Sequence, residues 1–453
     1  MSVVAFVAAM LTLGWVMTGA LALELDAIER IGLAYGIGTA AFTLGVFLAA
    51  LLGILVTLAS GVLLYVLLLA LSTFCLRRSF GTFFPKARLP RLGGVQIALI
   101  ALIGGVLVIT FAVAAYWPPY VWDSLAVWAL KGQVIAATGT LAELPRTGWP
   151  FYPLNISLQI AFLYLLGGDF LQSIFPMYLL SLAVLLIANL RSRAGLTVAL
   201  ACALFLILTP IVQAQAAIAY ADLPFAFYYV GSAIYLYRFL TERNQAWLVI
   251  SALLIGFAAW TRTEGPLYLA INAATLVLFA RPLRDTLKHT ALYAGIFLIA
   301  WLPWTIYARL ANYGDYFGYA PIGLIDALTG RLDVERLGAI LNFLGQRIVA
   351  LPDWGLLWLA LPVALLLGMR YWRAHAPLIA LIALNLLAMI YAYYVATAQT
   401  YFSVEWWLTT GFDRVALHWI PLAAFYLGEA VAAAKLFCPD DERRLMTIED
   451  EKH

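Results

Sequence analysis

From Gly94 to Tyr116 the chain reads GVQIALIALIGGVLVITFAVAAY, with no charged residue. About 20 apolar residues in helical form cross the hydrocarbon core of a bilayer. A continuous apolar run of this kind belongs to a membrane helix, because a helix satisfies all of its backbone N–H and C=O groups internally. Similar runs occur at 3–23, 32–50, 53–75, 172–190, 195–213, 223–240, 246–261, 266–280, 290–308, 354–368, 377–397 and 415–435, which predicts about 13 spans. The run 154–167 is shorter and reads as a re-entrant or juxtamembrane helix. The fold class expected is therefore an all-α polytopic membrane protein.

Composition excludes other classes. With 64% hydrophobic and 11% charged residues, the 453-residue chain cannot be a water-soluble globule around one core. A net charge of +3, scattered along the chain, gives no basis for a nucleic-acid partner. Cys75, Cys202 and Cys438 lie in or beside apolar segments, with neither CxxC nor zinc-ligand spacing.

Lys and Arg in short loops set orientation, because cationic loops stay in the cytoplasm. If the loop with Arg77, Arg78, Lys86, Arg88 and Arg91 is inside and 154–167 does not cross, the other basic loops also fall inside: Arg191 and Arg193, Arg238 and Arg243, Arg281, Arg284 and Lys288, Arg370 and Arg373. Ala20-Leu21-Ala22 looks like a signal-peptidase site, but no basic residue precedes it, so the first run is expected to stay as a helix with its N-terminus outside. The long segments 117–152, 309–353 and 397–414, with the turns at 219–224 and 261–265, then share the outer face.

Acids cluster on that face. Asp123, in WPPYVWDSLAVWALKG, precedes a helix that Gly139 would end, and Asp222, in IAYADLPFAFYY, precedes Pro224, so each has an ordinary helix-capping role open to it. Arg262 and Glu264 break the apolar stretch GFAAWTRTEGPLYL, where charge at membrane depth is a functional signal and a mutual ion pair is the plain alternative. A carboxylate here can serve as a general base or hold a divalent cation or an amine. Lys131, Arg262 and Arg414 are cations able to neutralise a phosphate. His418 lies one helical turn beyond Arg414 and can reach the same phosphate.

The order of WDSLAVWALKG, GWPFYPLNISLQIAFLYLLGG, TPIVQAQAAIAYADLPFAFYY and GFAAWTRTEGPLYL resembles the GT-C superfamily of membrane glycosyltransferases. The closest likeness is to the clan of protein mannosyltransferases and lipid A aminoarabinose transferases, glycosyltransferase family 39-like. It is clear over 94–310 and weaker over 377–435, where TGFDRVALHWIPL is similar to a late external Arg at a helix start. It implies N-terminal helices over 1–92 added to a catalytic core at 93–310, whose first external loop is 117–152. An external loop with an amphipathic helix (311–353), C-terminal spans (354–435) and a cytosolic tail (436–453) follow.

The resemblance also implies a polyprenyl-phosphate sugar donor drawn from membrane lipid, an extracytoplasmic acceptor, and a place in the plasma (inner) membrane with the active site on its outer face. Catalytic roles fall on Asp123 and Asp222, donor-phosphate binding on Arg414, Lys131, Arg262 and His418, and substrate binding on Glu264, Tyr152 and Arg146. Many members carry an adjacent acidic pair where this chain has Asp123-Ser124, so a divalent metal stays an open possibility with no ligand set assigned. Gly148-Trp149 stands where the family usually has a His or basic residue.

In the loop 309–353, Leu337, Ile340, Leu341, Leu344 and Ile348 form one stripe of a helix expected at 332–350, and Tyr313, Tyr316 and Tyr319 suit sugar stacking. A transporter or flippase is the rival class. Its hallmark, a repeated half with a midplane site, is not visible in the sequence. A degenerate relative acting as an assembly subunit is a third.

Overall fold

The computed structural model describes residues 2–21, 25–78, 92–168, 170–280, 282–313, 333–396 and 403–434. Every regular element among the described residues is helical. The chain opens with α1 (Ser2–Leu21), α2 (Ala27–Leu51), α3 (Leu58–Arg78) and α4 (Gly94–Tyr116). The loop after α4 holds α5 (Leu130–Thr138), and α6 (Asn155–Leu165) follows it. The central helices are α7 (Phe175–Ala194), α8 (Leu196–Ile207), α9 (Pro210–Ala216), α10 (Asp222–Glu242), α11 (Gln245–Thr261), α12 (Gly265–Phe279) and α13 (Leu283–Leu310). The last are α14 (Val334–Ile348), α15 (Leu351–Trp354), α16 (Ala360–Gly368), α17 (Trp372–Ala396), α18 (Val404–Leu417) and α19 (Leu422–Ala433).

Among the described residues, seven helices are long and apolar enough to cross a membrane, or up to nine if the bent pairs α8–α9 (72°) and α18–α19 (44°) each make one span. These are the helices of a polytopic membrane protein. The sequence expectation of about 13 is larger for two physical reasons. The apolar stretches at α11 and α12 form helices of only 17 and 15 residues, and α10 is rich in polar and tyrosyl groups. The runs 354–368 and 377–397 join into one helical segment, Ala360–Val395, interrupted by a 3-10 turn at Met369–Tyr371.

Three helices form the centre: α10 is buried along nearly its whole length, and α2 and α7 are mostly buried. α1 lies against α2 backbone to backbone: a Cβ on Gly14 would sit 1.8 Å from the Ala34 carbonyl oxygen, and one on Gly38 would sit 2.0 Å from that of Met10. Small residues permit this approach, and it is how membrane helices gain packing without a hydrophobic drive between them. Thr43 on α2 donates to Asn155 Oδ1 at 2.8 Å, and Asn155 Nδ2 donates to Thr261 Oγ1 at 2.8 Å, tying α2, α6 and α11 beneath Arg262. α2, with α1 packed on it, is thus part of the central packing, whereas α3 is mostly exposed.

Charge collects at the two ends of this bundle. At one end of α10 sits Asp222. At the other, Arg238 pairs with Glu29 and Glu242, Arg193 with Glu242 and Glu429, and Arg191 with Asp26. α6 is too short to cross, and both its ends lie toward the Asp222 end, Asn155 against Thr261 and Gly168 against Ser2. The amphipathic helix expected at 332–350 is α14, capped by Asp333 and burying Ile340 and Leu344. The expectations for Tyr316, Tyr319, Lys86, Arg88, Arg91, Cys438 and the tail 436–453 lie outside the described residues.

Candidate functional site

The loop 117–152 leaves α4 at Trp117 and is fixed at its root by Gln172. This wholly buried side chain donates to the Trp117 carbonyl at 2.8 Å and to that of Pro118 at 3.2 Å. Its Oε1 accepts from the Ala219 N–H at 3.0 Å, so one glutamine joins the loop carrying Asp123 to the turn carrying Asp222. Helix begins at Trp122, and Ser124–Ala129 winds as a π-helix, a wide turn that recurs at functional sites. Gly148 passes the outer side of that turn so closely that a Cβ would lie 2.8 Å from the Ala126 carbonyl oxygen.

The capping roles open to the two aspartates are not the ones they take. Asp123 already has helical backbone angles and caps nothing, and Asp222 is the first residue inside α10, with no capping bond at the residue before it. Both carboxylates turn toward Arg414. Arg414 Nη1 lies 2.7 Å from Asp123 Oδ2, and Arg414 Nε donates to Asp222 Oδ2 at 3.1 Å. The Tyr220 ring lies 4.6 Å from the same guanidinium. Arg262 Nη1 donates to Asp222 Oδ1 at 2.7 Å, His418 Nε2 lies 3.1 Å from that oxygen, and Arg262 Nη2 reaches Glu264 Oε1 at 2.7 Å.

The result is an alternating row of charge, Asp123, Arg414, Asp222, Arg262, Glu264, drawn from the first loop and helices α18, α10 and the α11–α12 turn. That turn is tight because Gly265 has no side chain: a Cβ there would meet Ala259 at 2.3 Å. Asp222 is fully buried and Arg262 nearly so, whereas Asp123, Arg414 and Glu264 have side chains 24%, 24% and 30% exposed. The row is sealed at its centre and open along one edge. Burial pushes the Glu264 carboxyl up, but the Arg262 guanidinium beside it outweighs this and holds it below the ordinary value.

Three expected members stand differently. Tyr152 packs beside the row, its ring 5.7 Å from the Arg262 guanidinium, and burial pushes its phenol up to about 12. Lys131 is fully buried on the far side of Tyr152, donates to the Trp149 carbonyl, and makes no ion pair among the described residues. Burial lowers its amine to about 7. Trp149 presents that carbonyl from a left-handed backbone, φ 50°, unusual for a bulky residue. Arg146 does not join the row: its side chain is 82% exposed and pairs with Glu143. It ends a 3-10 turn, Leu144–Arg146, that buries Leu144 and leaves Arg146 in solvent.

Sequence reasoning missed Gln172, Tyr220 and Tyr268, whose hydroxyl lies 3.2 Å from His418 Nδ1 and fixes the imidazole toward Asp222. A glutamine opening the apolar run 172–190 was the one available signal for Gln172. Among the described residues no three His, Cys, Asp or Glu side chains are placed to hold a metal ion. Chemically, the open edge offers a carboxylate to a hydroxyl and a guanidinium to an anion, side by side. Compared with protein families, with curated proteins and with solved structures, the chain matches none.

Proposed function

We propose that this chain is a GT-C-type glycosyltransferase that moves a sugar from a polyprenyl-phosphate donor to an extracytoplasmic acceptor. The observation that carries this reading is Arg414 held between Asp123 and Asp222, which puts a phosphate-binding group and a candidate base on the same open edge. In the reaction, Asp123 takes the proton from an acceptor hydroxyl as its oxygen bonds to the anomeric carbon. The bond from that carbon to the phosphate oxygen breaks, and the electron pair leaves with the polyprenyl phosphate. Arg414 stabilises the charge growing on the departing phosphate, an interaction stronger in the transition state than before it. One displacement inverts the anomeric centre.

Asp222, itself held by His418, keeps Arg414 and Arg262 in place, and Glu264 and Tyr152 border the substrate. The reading includes about 13 spans, a plasma-membrane location and an outward-facing site, in line with the basic loops grouped at the opposite end. A bound divalent metal is not required by this scheme and stays compatible with it.

Purified protein in nanodiscs, given a panel of polyprenyl-phosphate sugars, tests the proposal. Wild type is expected to consume one donor, and Asp123→Asn to bind that donor without consuming it, with turnover down on the order of a hundredfold or more, the usual scale for losing a positioned general base. Undiminished turnover by the variant would remove Asp123 from catalysis. Donor carried intact across the membrane would replace transfer by transport.

A further inference from the structure

Resting on the reading of the row as a glycosyl-phosphate site, one contact is in the way of the reaction. Asp123 Oδ2, one of the two oxygens of the candidate base, is occupied by Arg414 Nη1 at 2.7 Å. Arg414 is held unequally. Its Nε sits on Asp222, a wholly buried carboxylate that Arg262 and His418 also hold. Its Nη1 sits on Asp123, which is partly exposed and has no other ion pair among the described residues. The Tyr220 ring, 4.6 Å away, gives the guanidinium a flat face to turn over without losing contact.

We infer that Arg414 masks Asp123 in the resting protein and that the phosphate of an arriving donor unmasks it. A phosphodiester anion presents two oxygens in the geometry a planar guanidinium grips best, with two parallel N–H donors. Asp222 retains Nε as the pivot while the Nη side of Arg414 leaves Asp123 for the phosphate. A cation departs from Asp123 and an anion arrives nearby, and both changes favour proton transfer to Asp123 from an acceptor.

The order of events follows: donor first, acceptor second. Water or acceptor arriving alone finds Asp123 Oδ2 taken by Arg414. After transfer the phosphate leaves with one more negative charge, and its release lets Arg414 return to Asp123 and displace the proton.

Carboxyl labelling reads the mask directly. Full-length protein in nanodiscs is treated with a carbodiimide and glycine ethyl ester, and labelled peptides are quantified by mass spectrometry. Farnesyl phosphate serves as probe, its binding followed by 31P NMR, with farnesol as the uncharged control. Labelling of Asp123 is expected to rise on the order of tenfold with farnesyl phosphate, the scale of one lost charge-assisted hydrogen bond, and not with farnesol. Arg414→Gln is expected to label at Asp123 at the raised rate with no phosphate present, while buried Asp222 stays unlabelled and reports an intact fold. Binding of farnesyl phosphate with Asp123 labelling unchanged would overturn the masking and leave the phosphate site standing. Equal unmasking by farnesol, or an Arg414→Gln protein whose Asp123 stays unreactive, would overturn it too. No binding of farnesyl phosphate at all would remove the phosphate site itself and the masking with it.

Discussion

Asp222 is a carboxylate with no exposure and three donors, Arg262, Arg414 and His418. Burying such a group unpaired costs several kcal/mol, and removing one member of a buried ion pair typically costs about 3–5 kcal/mol, because the partner stays behind uncompensated. Asp222→Ala is therefore expected to lower stability by that order, leaving two guanidiniums without their shared anion. Asp123→Asn, at a partly exposed position, is expected to change stability by about 1 kcal/mol or less. Thermal unfolding in detergent separates the two; equal shifts would mean that Asp222 does not organise the row.

Lys131 is a different case, a buried amine whose one polar partner among the described residues is the carbonyl of Trp149. Burial lowers it from the ordinary 10.5 to about 7, so between these pH values the unfolded chain binds more protons than the folded one. Stability then rises as pH increases from about 7 toward 10.5, and the penalty is fully present below 7. Lys131→Met is expected to flatten that rise. An unchanged pH slope in the variant would assign the dependence to another group.

At the scale of elements, α18 shows what a helix adds to a residue. Asp413, next to Arg414, accepts from Arg347 Nε at 2.9 Å and from Trp354 Nε1 at 2.9 Å, so α14 and α15 grip the helix that presents Arg414. Phe343 on α14 also packs edge-on against Phe412 at 5.3 Å. Arg347→Ala is expected to loosen α14, raising its amide exchange by an amount corresponding to about 1–3 kcal/mol, with donor turnover falling alongside. Faster exchange with turnover intact would make the grip structural only.

The sequence made α14 legible because an amphipathic stripe has one period, and it made the apolar helices legible because hydropathy needs only composition and length. It also marked Asp123, Asp222, Arg262, Glu264 and Arg414 as charges at helix ends beside apolar runs, and the Arg262–Glu264 pair, two residues apart, was open from the sequence and is formed. What it could not carry was the long-range pairing. Asp222 and Arg414 are separated by most of the C-terminal half of the chain, and no local pattern encodes a contact that forms only when α10 and α18 pack together. The same limit explains Arg146, which has the right charge in the right loop and faces solvent.

For the whole molecule the decisive feature is that its charge lies in two planes. α10 has 21 residues, which at 1.5 Å per residue places its ends about 30 Å apart, the thickness of a hydrocarbon core. The row around Asp222 occupies one plane. The pairs made by Arg191, Arg193 and Arg238 occupy the other, together with Arg243, whose guanidinium donates to the Phe279 carbonyl at the end of α12. Among the described residues Arg191, Arg193, Arg238 and Arg243 sit in the second plane, and because cationic loops are retained in the cytoplasm the proposed orientation turns the first plane outward.

Two exposed arginines test this. Arg146 lies in the loop 117–152, which also carries Asp123, and Arg373 lies beside the turn joining α16 and α17, two residues before His375, whose ring meets Tyr237 in the second plane. With Cys75, Cys202 and Cys438 changed to serine, a membrane-impermeant maleimide added to intact cells is expected to label Arg146→Cys and to leave Arg373→Cys unlabelled until the membrane is opened. The reverse pattern would invert the molecule and place the Asp123–Arg414 pair on the cytoplasmic side, where an extracytoplasmic acceptor cannot reach it. Labelling of both before the membrane is opened would mean that the two charged planes do not lie on opposite faces of the membrane, and the polytopic arrangement would have to be redrawn around α6 and the bent pair α18–α19.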